Sequence, residues 1–174
     1  GTLVTQALAD FPASYNIVGS IFISPNFKLK YKSAMIFKLP WCNFFIPFLL
    51  GSVRKWQPAS SEQKKFWTTT YPTVALTQVV ASVAAVQKLN FGKITTPGLF
   101  MFSDRDTVVD PLMTARVASE WGGPSKIIKI EIGPDQDDKG THVVLGDILS
   151  PSRTKFGVRT IYDWISSLEV LREK

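Results

Sequence analysis

The chain contains a single histidine, His142, thirty-six residues after Asp106. Each follows a run that reads as a buried strand, Gly98 to Phe102 before the acid and Lys126 to Ile132 before the imidazole. Imidazole is the side chain that exchanges protons near neutral pH, so it can take a proton from a weak nucleophile and return it to a leaving group. A carboxylate on its second nitrogen fixes the tautomer and stabilises the imidazolium that forms. Singly, a lone histidine is more often an ordinary surface or core residue, and an aspartate after a strand is often a cap. The conjunction is stronger, because both arrive at equivalent strand ends. A base and its orienter are two members of a nucleophilic relay, and no persuasive nucleophile accompanies them. Ser20, Ser24 and Ser103 are present, but none stands in a Gly-x-Ser-x-Gly setting.

Such a pair works only if stiff elements hold it, since a small misplacement costs much rate. The opening residues have helical rhythm up to about Asp10, without an N-cap ahead of them; a helix beginning uncapped at residue 1 suggests a fragment. Val18 to Ser24 is a β-rich apolar run stopped by Pro25-Asn26. Thr73 to Leu89 carries Leu76, Val79, Val80, Val83 and Val86 at helical spacing. Asp110-Pro111 is an N-cap with proline at the first helical position, and that helix stops at Gly122-Gly123-Pro124. Ser150-Pro151 repeats the signal, and Val158, Ile161, Ile165 and Leu168 give the last helix an apolar stripe. Strands separated by helices imply an α/β fold with about three parallel strands. Ligands in such sheets sit beyond the carboxyl ends of the strands, where the loops after Ser24, around Asp106 and around His142 all emerge.

With these elements in order, the chain resembles the C-terminal part of an α/β-hydrolase. Ser103-Asp104-Arg105-Asp106-Thr107-Val108-Val109 is similar to that family's small-x-x-Asp-x-x-Val turn, with Asp106 in the acid's place. Gly140-Thr141-His142 is similar to the family's glycine-histidine segment apart from the inserted threonine, and acid precedes histidine as it does there. The first residues look like the helix behind the nucleophile elbow, with Gly1 as a trailing glycine of it. The resemblance implies a partial core, 1–26 and 73–174, interrupted by a helical cap or lid insertion, 27–72. It also implies a carboxylic ester hydrolase, of serine esterase or lipase type, whose serine lies upstream of Gly1. Thioesterase, peptidase, carbon–carbon hydrolase and dehalogenase activities use the same pair. A non-catalytic binding module on the same scaffold stays open as well.

The insertion differs in texture from the rest. Residues 28–65 hold eight Lys or Arg, including Lys28, Lys30 and Lys32, against one acid, Glu62, whereas the remainder is nearly neutral. A field confined to one segment argues against a nucleic-acid binder and suits contact with something anionic, membrane included; a plain solvated lysine-rich surface is the simpler reading. Within it, Trp41, Phe44, Phe45 and Phe48 are expected to roof an apolar acyl group, and Val108 and Val143, beside the acid and the histidine, to line the substrate site. Ten apolar residues broken by Pro47 are too few to span a bilayer, which takes about 20.

With 45% hydrophobic and 20% charged residues the chain is globular. One cysteine, Cys42, excludes an internal disulfide framework, and one Cys with one His leaves almost no material for a zinc site. Asp135, Asp137 and Asp138 read as a solvated loop rather than a cation site, so neither metal nor cofactor is expected. The incomplete sheet should expose an edge, and self-association through it or through the insertion is expected. A cytoplasmic location is the default, with a targeting segment upstream left open.

Overall fold

A computed structural model describes residues 1–11, 16–30, 36–37, 39–131, 133 and 137–172. In chain order its elements are α1 (Thr2–Asp10), β1 (Ser20–Ile23), α2 (Cys42–Leu50), β2 (Val53–Lys55), α3 (Ser61–Phe66), β3 (Thr70–Pro72), α4 (Ala75–Val86), β4 (Gly98–Phe102), β5 (Ser125–Lys129) and α6 (Pro151–Arg172), with α5 (Pro111–Ser119) between β4 and β5. They form two compact units, Gly1–Lys30 with Val86–Lys174, and Tyr31–Ala85.

The first unit is an α/β layer structure on a three-stranded parallel sheet, in the order β1–β4–β5. Strand β4 is central and all five of its residues are buried. That explains its unbroken apolar run: each face needs cover, so the usual alternation with polar residues is absent. On one face, Phe22, Phe100 and Phe102 pack with Leu8 of α1 and with Val117 and Ala118 of α5. Phe22 stacks on Phe100 at 4.9 Å, and Trp121 meets both rings edge-on at 5.5 and 5.3 Å. Such pairs add about 0.5–1.5 kcal/mol each beyond area burial. The indole Nε1–H of Trp121 donates to the Thr96 carbonyl at 2.7 Å, so its polar atom is not stranded. On the other face, Leu99 and Met101 pack with Trp164 and Leu168 of α6 and with Ile130 and Val144.

Two sequence expectations change here. The third strand is Ser125–Lys129 rather than Lys126–Ile132, and its side chains are mostly exposed rather than buried. It is an edge strand, so Ile127 stays 39% exposed, and the buried isoleucine is Ile130, one residue past the strand. Ile132 lies outside the described residues. In α6 the packed stripe is Ile161, Trp164 and Leu168, while Val158 and Ile165 face solvent. Both stripes have helical spacing; the large indole decides which one turns inward.

The turns around β4 and β5 rest on specific chemistry. Asp110 caps α5 by accepting from the Leu112 amide at 3.0 Å, with Pro111 at the first position. At the far end, the Gly122 and Gly123 amides donate to the Phe91 and Ile94 carbonyls. A Cβ at Gly122 would stand 2.1 Å from the Gly92 oxygen, and one at Gly123 2.2 Å from the Thr95 oxygen. Only glycine permits that backbone approach. Gln87 Nε2 donates to the Phe27 carbonyl at 2.7 Å, stitching together the two places where the chain leaves and re-enters this unit.

The second unit pairs β2 and β3 antiparallel, Arg54 opposite Tyr71. Helix α3 starts at Ser60, whose Oγ accepts from the Gln63 amide at 3.1 Å, while Gln63 Oε1 accepts from the Ala59 amide at 2.6 Å. Ile46 of α2 and Val80 and Val83 of α4 are buried. Helix α4 clusters with this unit as far as Ala85, while its last residue, Val86, is buried in the core of the first. Thr73, just before it, bonds back to the Gly51 and Ser52 carbonyls at 2.6 and 2.9 Å and so fastens its start beside β2.

Candidate active site

The turn after β4 is closed by its own polar atoms. The Asp106 amide donates to the Ser103 carbonyl at 3.2 Å, and the Arg105 amide to Ser103 Oγ at 3.2 Å. Asp106 is completely buried. Its Oδ1 accepts from the Val108 and Val109 amides at 2.7 and 2.9 Å, and its Oδ2 lies 2.9 Å from His142 Nδ1. Hydrogen bonds to a charged group are worth about 1.5–3 kcal/mol each, so these three offset part of the cost of holding a carboxylate out of water. The arrangement places the proton of a neutral imidazole on Nδ1, donated to the acid. Nε2 then carries the lone pair. Among the described residues no group bonds to it, and the side chain is 30% exposed.

His142 is held by a second carboxylate that sequence reasoning missed. Asp138 Oδ2 accepts from the His142 and Val143 amides, both at 2.9 Å, and Oδ1 from the Gly140 amide at 3.1 Å. Thr141 sits between at φ 50°, in the left-handed region that a tight loop here demands. The two loops are joined by Thr107, whose amide and hydroxyl both donate to the Gly140 carbonyl, at 2.9 and 3.0 Å. Asp137 is buried and accepts from the Ser152 amide at 3.2 Å and from the Ser152 hydroxyl, capping α6. The expected solvated acidic loop is therefore corrected for these two residues: their carboxylates serve as backbone acceptors. Asp135 lies outside the described residues. The signal was there to read, since Asp138-Lys139-Gly140 is the composition of an Asx turn.

A strap also reinforces the acid turn. Leu29 bridges Val109 antiparallel, the Lys30 amide donates to the Val108 carbonyl at 3.0 Å, and the Asp110 amide donates to the Lys28 carbonyl at 2.7 Å. Lys30 Nζ reaches the Asp106 carbonyl at 2.7 Å, and Lys28 Nζ pairs with Asp110 Oδ2 at 2.7 Å. Lys28 holds the Asp110 carboxyl below its ordinary range, with partial burial opposing and the Leu112 amide assisting. Two of the three lysines expected to meet an anionic surface are thus engaged within the first unit. Lys32 lies outside the described residues.

Of the expected site residues, the structure brings together Asp106, His142, Val108 and Val143, the valines through their amides. Trp41, Phe44, Phe45 and Phe48 belong to the second unit. Among the described residues, no hydrogen bond joins Ser20, Ser24 or Ser103 to His142. The Ser24 hydroxyl is buried without a partner at a left-handed φ of 41°. A recess of about 330 Å³ opens beyond β4 and β5, lined by Ser103, Asp104, Arg105, Lys129, Ile130 and Glu131, with Lys129 paired to Asp104. His142 does not line it, and its charged walls suit a polar occupant. Among the described residues no cluster of His, Cys, Asp and Glu is arranged to hold a metal ion.

No family model and no curated protein matches the chain. Among solved structures, one from the pair LipS and LipT, two metagenome-derived lipolytic enzymes that increase the diversity of known lipase and esterase families, is similar with a TM-score of 0.59 and 15% identity. The match covers 75% of this chain and 51% of that one, so the chain spans about half the length of that structure. At this identity the likeness is one of fold: a parallel three-stranded sheet flanked by helices, consistent with part of an α/β-hydrolase-like fold.

Proposed function

We propose that His142 and Asp106 are the base and orienting acid of a site that hydrolyses a carboxylic ester, with a serine nucleophile supplied by residues outside these 174. The observation that carries this reading is the 2.9 Å contact from His142 Nδ1 to a fully buried carboxylate, which leaves Nε2 without a partner among the described residues. The fold likeness to a lipolytic enzyme, matched over about half its length, supports it.

In this scheme Nε2 takes the serine proton as Oγ attacks the ester carbonyl, and the imidazolium is stabilised by the Asp106 carboxylate. The proton then passes to the departing alkoxide as its C–O bond breaks, leaving an acyl-serine. Water repeats the cycle: Nε2 accepts its proton, the acyl–oxygen bond breaks, and serine recovers the proton. Val108 and Val143 would border the acyl group.

The test is hydrolysis of p-nitrophenyl esters of graded chain length by the complete gene product. His142→Ala should lower kcat/KM by about 10³-fold or more, and Asp106→Asn by about 10²–10⁴-fold with the protein still folded. Wild-type turnover in His142→Ala would end the proposal. A preceding elbow without Ser, Cys or Asp would leave the pair as a non-catalytic clamp between two loops.

A further inference from the structure

The second unit displays its largest apolar side chains to water. On α2 and the residue before it, Trp41, Phe44 and Phe48 are 77%, 78% and 91% exposed, and Leu49 is 58% exposed. Phe44 and Phe48 are one turn apart on α2, the ring of Trp41, just before the helix, lies 6.1 Å from that of Phe44, and Ile46, off that face, is fully buried. An aromatic face of this kind is unfavourable in water, because each ring forgoes about 25 cal/mol per Å² of burial. Something other than water is its natural neighbour.

The surrounding charge says what. Residues 31–85 contain six Lys or Arg and one acid, Glu62. Arg54 and Lys55 follow α2 directly on β2, whose three residues are all exposed. Lys64 and Lys65 close α3, and Lys65 lies 5.2 Å over the ring of Phe66, itself exposed. The rims of protein–protein interfaces mix both signs, and their centres are depleted of lysine. Exposed Phe, Trp and Leu in one unit with a large excess of Lys and Arg instead match the two layers of an anionic bilayer surface, acyl chains below and phosphates above. At 1.5 Å per residue α2 is about 13 Å long, so it suits lying in the interface. Among the described residues no helix is long and apolar enough to cross a membrane.

We infer that the second unit docks on anionic lipid surfaces through the Trp41–Phe44–Phe48 face of α2, with the basic residues of β2 and α3 against the headgroups. This inference is independent of the proposed ester hydrolysis, since docking needs neither the Asp106–His142 pair nor a nucleophile.

Co-sedimentation of the 174-residue chain with vesicles is the test. Binding is expected to phosphatidylcholine vesicles containing phosphatidylglycerol, and to be about tenfold weaker on phosphatidylcholine alone or at about 0.5 M salt. Phe44→Ser with Phe48→Ser should abolish it while leaving circular dichroism and the NMR signals of the sole histidine unchanged, because both rings are already in solvent. Arg54→Glu with Lys55→Glu should remove the preference for anionic lipid. Failure of the wild-type chain to sediment with anionic vesicles, or full binding by the Phe44/Phe48 variant, overturns the inference. So does concentration-dependent self-association without lipid that the same variant abolishes, which would assign the face to a second copy of the chain.

Discussion

The sheet core of the first unit and helices α2 and α3 of the second treat their aromatic residues in opposite ways. In the first, Phe22, Phe27, Phe100, Phe102 and Trp121 are buried, most of them in contact with one another. In the second, Trp41, Phe44, Phe48 and Phe66 stand largely in solvent. Aromatic content is thus no guide to where a core lies. What separates the units is a platform. The parallel sheet has helices on both faces and can enclose a ring from every side, whereas the two three-residue strands of β2 and β3 offer no comparable surface.

Substitutions can break that contrast. Phe100→Ala should cost about 3–5 kcal/mol in urea unfolding, because the neighbouring Phe22 and Trp121 rings cannot fill the void. A loss under about 1 kcal/mol would mean that the stacked cluster is less tightly packed than its geometry indicates. Asp138→Ala comes next, at about 2 kcal/mol, since three loop amides lose their acceptor together. It should also disturb the His142 NMR signals, which a purely distant effect would leave in place. Asp110→Ala should cost about 1 kcal/mol by removing the cap of α5. Its carboxyl is held below the ordinary value in the folded state, so this contribution is complete above about pH 4 and vanishes as acidification protonates the group. A penalty that persists at about pH 2 would show that packing, not charge, is responsible. Smallest of all, Phe48→Ala should lie within about 0.5 kcal/mol of the wild type. A large loss there would erase the difference between the units.

Elements whose residues carry their own instructions were legible in the sequence. Gly98–Phe102 is a central strand because nothing in it tolerates water, and Asp110-Pro111 marks a helix start by local hydrogen bonding. Ser150-Pro151 also stands at a helix start, but there the Ser150 hydroxyl donates to the Val143 carbonyl and accepts from the Asp138 amide, and Asp137 takes the cap's place by accepting from the Ser152 amide. The proximity of Asp106 and His142 followed from parallel topology alone, which sends both loops to one rim. Elements decided by tertiary neighbours were not legible. Nothing in Lys126–Ile132 says that the strand lies at an edge, and nothing in α6 says that Trp164 outranks Val158 and Ile165. The β2–β3 ribbon has strands too short to show a period. Lys30 looked like a surface charge because its acceptor, a backbone carbonyl seventy-six residues away, has no sequence signature.

The stitch between Gln87 and Phe27 bears on how this protein can be re-engineered. A graft that exchanges residues 31–85 for a different excursion should splice after Lys30 and before Val86, which is buried in the core of the first unit. The Gln87–Phe27 bond then stays with the first unit and ties the chain just before one stump to the chain just after the other. Cutting even a few positions earlier, inside Lys28–Lys30, would discard the strap and slacken the turn that carries Asp106.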